Sequence, residues 1–131
     1  MNGKTGLILF VICAAIAGCT HDTPILSGKG GSATVVLYPR HHDTAWRLRD
    51  MKVYVKYNTL NAPANNVYDD SATGIVHDSL VSAAFTSLKN GNYYFFGKGF
   101  DTFYNQEVKG GKPYILTAQA PQNMTLPVSE D

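Results

Sequence analysis

Apolar and polar positions alternate along this chain in short bursts rather than recurring at helical spacing. Met51 to Tyr57 is the clearest case: Val53, Val55 and Tyr57 fall on one side, and Lys52, Tyr54 and Lys56 on the other. That is the period of a half-buried strand. Ala33 to Tyr38 is rich in β-branched residues and stops at Pro39. Leu80 to Leu88 puts Ala83, Phe85 and Ser87 on one face, with Leu88 at its end, and Asn90-Gly91 follows as a hairpin signal. Tyr93-Tyr94-Phe95-Phe96 opens another strand, suited to a pleated surface. Phe103–Val108 and Tyr114–Ala118 read as a last hairpin, turning across Lys109-Gly110-Gly111-Lys112. No segment keeps a helical period over about 10 residues. The pattern predicts an all-β chain, a single antiparallel β-sandwich of Greek-key connectivity over residues 33–120. The connector from Asn58 to His77 is long, with room for a short edge strand at Gly74–His77, and residues 121–131 read as a loosely ordered tail.

The first residues follow another rule. Met1–Thr5 carries one base, Lys4, and Gly6–Ala17 carries no charge. That apolar run is shorter than the roughly 20 residues a membrane-spanning helix needs, and it ends in small residues as a secretory signal does. Cys19 stands directly after Ala15-Ile16-Ala17-Gly18. The segment resembles the lipobox of bacterial lipoproteins, which implies cleavage of residues 1–18 and lipidation of Cys19. Two acyl signals suffice for stable anchoring at about 0.8 kcal/mol per buried methylene. Residues 19–32, with Pro24 and the run Ser27-Gly28-Lys29-Gly30-Gly31-Ser32, then read as a lipidated tether. Its reach is roughly 40 Å extended and about 20 Å on average.

Cleavage changes the charge and cysteine balance. The whole chain has 11 basic and 10 acidic residues, so losing Lys4 leaves equal numbers. Charges are interspersed, with no basic block of the kind that tracks a phosphate backbone, so a nucleic-acid partner is not expected. Of the two cysteines, Cys13 leaves with the signal and Cys19 takes lipid, so no disulfide is expected.

Phe85-Thr86-Ser87-Leu88-Lys89-Asn90-Gly91-Asn92-Tyr93, after the valine-alternating strand at Val53-Tyr54-Val55, is similar to a phrase of prealbumin-like (transthyretin-like) sandwiches. Carboxypeptidase-regulatory-like domains share that fold. The resemblance spans residues 33–118 and implies a prealbumin-like or immunoglobulin-like sandwich, with Phe85, Leu88, Tyr93 and Phe95 inward. It implies little chemistry, because fold does not supply function. Ser82-Ala83-Ala84 departs from the Asp/Asn-Gly loop that often precedes the phenylalanine. One enzyme branch of that fold, the hydroxyisourate hydrolases, typically ends Tyr-Arg-Gly-Ser. This chain ends Val128-Ser129-Glu130-Asp131.

Catalytic motifs are lacking: there is no Gly-x-Ser-x-Gly elbow, phosphate loop or His-Glu-x-x-His pair. His41-His42-Asp43 is the weak candidate for a metal. Adjacent histidines diverge on extended backbone, so both reaching one ion requires a turn, and a third ligand would come from His77 or Asp78. No metal and no cofactor is expected. Asp69-Asp70-Ser71 with Asn65, Asn66 and Asp78 offers oxygens for calcium but lacks the spacing of a calcium loop. Tyr94 and Phe96, opposite the inward Tyr93 and Phe95, form with Tyr54 a candidate interaction surface. Trp46 is expected to pack, pinning the crossover between the first two strands. The reading is a non-catalytic, lipid-anchored envelope lipoprotein that presents its sandwich to another envelope protein. Thr20 after the cysteine resembles outer-membrane sorting, with the domain periplasmic or surface-facing. The alternatives are a glycan-binding module using the aromatic face, and a metal-dependent enzyme at His41 and His42.

Overall fold

The computed structural model describes residues 26–131; the segment read as a signal, Cys19 and the first half of the expected tether lie outside them. Eight strands form two four-stranded sheets. These are β1 (Gly28–Arg40), β2 (Leu48–Tyr57), β3 (Asp70–Thr73), β4 (Ile75–His77), β5 (Leu80–Lys89), β6 (Gly91–Asp101), β7 (Gln106–Leu116) and β8 (Pro121–Pro127). One sheet has the order β4-β5-β1-β8 and the other β3-β2-β6-β7, packed as a β-sandwich. Among the described residues no helix is long and apolar enough to cross a membrane.

Alternation builds the core. Val35 and Leu37 from β1, Val53 and Val55 from β2, Phe85 from β5, and Tyr93 and Phe95 from β6 meet between the sheets, all buried. Leu48, Met51, Val81, Val108 and Val128 form a second buried cluster. Two bulges reset the period. Asp50 (φ 54°) lets Leu48 and Met51 both face inward, and Ser87 (φ 58°) does the same for Phe85 and Leu88. Ser87 is therefore exposed rather than sharing the face of Phe85.

Two turns of the chain differ from the sequence expectation. Asn90-Gly91 is no hairpin but carries the chain from one sheet to the other, Gly91 adopting φ 142°. The Tyr93 hydroxyl fixes this corner by donating to Lys89 O (2.6 Å) and accepting from Gly28 N (2.8 Å). Lys109-Gly110-Gly111-Lys112 is no turn either: β7 runs through it, paired with β6 along its whole length. The glycines there answer a close approach, since a Cβ on Gly110 would lie 2.2 Å from Pro127 O.

Both ends of the domain are more ordered than expected. β1 begins at Gly28 because the glycine-rich run pairs with the end of β5, so residues 28–32 belong to the sandwich rather than to the expected tether. Residues 121–127 are not a loose tail: β8 lies parallel to β1 from Thr34 to Arg40 and buries Leu126. Among the described residues that pairing is the one parallel register in an otherwise antiparallel sandwich. Pro121 and Pro127, at its two ends, suit an edge strand.

Candidate functional site

β1, β6 and β8 all finish at one pole of the sandwich, and the side chains that follow them converge there. His41 closes β1 and opens a tight turn. His41 N donates to Thr44 O (2.9 Å) and Thr44 N to His41 O (3.0 Å). The central residues, His42 (φ 47°) and Asp43 (φ 58°), both have positive φ, the pattern of a type I′ turn. This is the turn that adjacent histidines need in order to share a ligand: their ring centroids lie 4.1 Å apart.

His41 is buried, 1% exposed. Its Nδ1 lies 2.8 Å from Asp101 Oδ2, and its Nε2 contacts Glu130 Oε2. His42 Nε2 lies 3.4 Å from the other Glu130 oxygen. Asp101, fully buried, also accepts Phe103 N (2.8 Å) and Tyr104 N (3.2 Å) through Oδ1, so it shapes the β6–β7 turn as well. Glu130 is delivered by main-chain pairing: Val128 N donates to Arg40 O, and Ser129 exchanges two bonds with Lys109.

Electrostatics follows from this frame. Burial of the His41 ring opposes its charge, but hydrogen bonds and charge from Asp101 and Glu130 outweigh burial and raise its pKa above the ordinary imidazole value. Burial likewise opposes charge on Asp101, yet the bonds from His41, Tyr104 N and Phe103 N hold its carboxyl low. Glu130 is held low by its own backbone N–H and then by His41.

An exposed aromatic group adjoins the histidines. Tyr104 packs its ring 5.4 Å from His41 and 5.1 Å from His42. The Arg47 guanidinium lies over Phe103 (4.6 Å), Trp46 (5.1 Å) and Tyr104 (5.3 Å). Arg47 Nη2 donates to Thr44 Oγ1, whereas its buried Nε has no partner among the described residues. Trp46 does not pack into the crossover as expected: it is 55% exposed, and Ala45 and Leu48 are the residues buried there. Phe103 is 66% exposed and Tyr104 42%.

The other sequence candidates are placed as follows. His77 ends β4 and Asp78 opens the β4–β5 turn, and the two pair with each other at 3.1 Å, outside the histidine cluster. Asp69 is engaged by Tyr57 N and Lys56, and Asp70 lies 3.6 Å from Lys29, so the proposed calcium oxygens serve the fold. Tyr54 and Phe96 do share the outer face of the β3-β2-β6-β7 sheet, 6.4 Å apart. Tyr68, from the long connector, stacks on Phe96 at 5.8 Å and leaves both rings half-buried. Tyr94 shares this outer face, its hydroxyl lying over Gly111, the β7 partner of Phe96.

Sequence reasoning missed Asp101, Glu130 and the Arg47 cluster. Asp101 had a signal: an aspartate followed by Thr102-Phe103-Tyr104-Asn105 is a turn former. Glu130 had none, since its position depends on β8. No protein-family model, no curated protein and no solved structure matches this chain.

Proposed function

We propose that this protein is a non-catalytic, lipid-anchored envelope lipoprotein whose sandwich offers its far pole to another envelope protein. The observation that carries this reading is the cluster of Trp46, Arg47, Phe103 and Tyr104. Its three rings are exposed, yet they are held around one guanidinium. Trp, Tyr and Arg dominate interface hot spots, and the Trp and Tyr rings supply large contact area at low entropic cost. The cluster belongs at the end where β1 finishes, whereas Cys19 precedes the start of β1. A lipid on Cys19 would hold the domain by its opposite end, concentrating the cluster near a partner in the same envelope. Thr20 favours the outer membrane.

The test is in-cell photo-crosslinking from position 103. A single stoichiometric adduct with an envelope protein, lost with Trp46→Ala or Cys19→Ser, supports the reading. Adducts from position 96 and none from 103 would move the interface to the sheet face.

A second reading, glycan binding, has its own support in the three rings Tyr54, Tyr68 and Phe96, beside Asn66, Lys98 and Glu107. It predicts that Phe96→Ala abolishes retention on a glycan array without unfolding the domain.

A further inference from the structure

We infer that His41, His42 and Glu130 form a site for one divalent cation of the zinc class, with Asp101 as the positioning residue behind His41. This inference is independent of the partner reading above. One nitrogen from each histidine and one Glu130 oxygen all lie within 4.8 Å of one another. Tetrahedral zinc with bonds of about 2.0–2.1 Å sets its ligand atoms roughly 3.3 Å apart. His42 Nε2 and Glu130 Oε1 are at 3.4 Å, so modest side-chain rotation brings the set to bonding geometry.

The donor chemistry chooses the cation. Two imidazole nitrogens and one carboxylate oxygen suit zinc, whereas calcium and magnesium want oxygens throughout. Three protein ligands leave a fourth position for water. Asp101 Oδ2 on His41 Nδ1, at 2.8 Å, is the carboxylate–histidine arrangement that fixes a ligand ring and aims Nε2 outward. Access is built in: His42 is 51% exposed at its side chain and Glu130 37%, while His41 is 1% exposed. Each His41 ring nitrogen lies against a carboxylate, Nδ1 on Asp101 and Nε2 on Glu130. A cation binds the Nε2 lone pair, and any proton held there leaves to solvent.

The test uses the full-length, detergent-solubilised chain, stripped with a chelator and titrated with zinc by calorimetry. One equivalent is expected to bind, with neither calcium nor magnesium giving heat. His42→Ala and Glu130→Gln, both at exposed side chains, should each weaken binding at least roughly 10-fold, and Asp101→Asn about 10–100-fold. Asp101→Asn should also shift the visible absorption of the cobalt-loaded protein at saturation, which a merely structural role would not do. The four histidines of the chain include His21 and His77, and a His21→Ala/His77→Ala double variant should bind as wild type. Trp46 fluorescence and urea unfolding confirm that each variant is folded. Folded wild-type protein that takes up no zinc would overturn the inference. So would zinc uptake that His42→Ala and Glu130→Gln leave unchanged.

Discussion

Asp101 shows how much one side chain settles at this pole. Fully buried, it holds the His41 ring with one oxygen and two backbone N–H groups with the other. Asp101→Ala strands all three donors and leaves buried His41 with Glu130 alone. Removing one partner of a buried pair costs about 3–5 kcal/mol, so the urea midpoint should fall by that equivalent. His77→Ala, in an exposed pair, should stay within about 0.5 kcal/mol of wild type. An equal effect at both positions would refute the role given to Asp101. The histidine half of this site was legible in the sequence, because His41-His42 is a local feature. The carboxylate half was not, because Asp101 and Glu130 lie 60 and 89 residues away along the chain. Gly110 and Gly111 offer a second contrast. A Cβ on Gly110 meets the Pro127 carbonyl of the backbone, whereas one on Gly111 meets the Tyr94 hydroxyl, the end of a movable side chain. Gly110→Ala should therefore cost about 1–3 kcal/mol, and Gly111→Ala less. Thermal melts of the two variants decide it.

Among the elements, β8 is the one whose importance the sequence concealed. Strands with strict alternation, such as β2, could be read directly, since the period of two is a local property. The bulges at Asp50 and Ser87 could not, because nothing in residue type forces a non-glycine into positive φ. β8 was concealed for a different reason: it is an edge strand bounded by prolines, and Leu126 is its one fully buried side chain. Yet it completes the sheet beside β1, and the residues after it supply Val128 to the core and Glu130 to the histidines. Leu126→Ala should cost about 2–5 kcal/mol, measured by urea unfolding. Truncation after Ala120 removes Leu126 and Val128 and bares the whole β1 edge, which invites pairing with other chains. The truncated domain should aggregate or be digested rapidly under native conditions. A truncated form that stays monomeric and protease-resistant would show that β8 is dispensable and that the core closes without it.

At the scale of the whole molecule, the two poles of the sandwich are unlike, and the proposed anchor gives that difference a direction. The chain enters at Leu26, beside the Ser27–Asn58 hydrogen bonds that close one pole, while Trp46 and the histidine cluster occupy the other. β1 runs between them with 13 residues, which at a strand rise of about 3.3 Å separates the poles by roughly 40 Å. From Cys19 to Leu26 the chain can extend only about 25 Å, so a lipid on Cys19 keeps the near pole close to the bilayer and the far pole well clear of it. Trp46 is the sole tryptophan, exposed at that far pole, and so reports the orientation without any label. In vesicles carrying the lipidated protein, brominated acyl chains should leave its emission unchanged, whereas acrylamide in the aqueous phase should quench it. Quenching by the brominated lipid would mean that the aromatic pole faces the bilayer. The cluster around Arg47 would then serve as a second membrane contact instead of a surface for a protein partner.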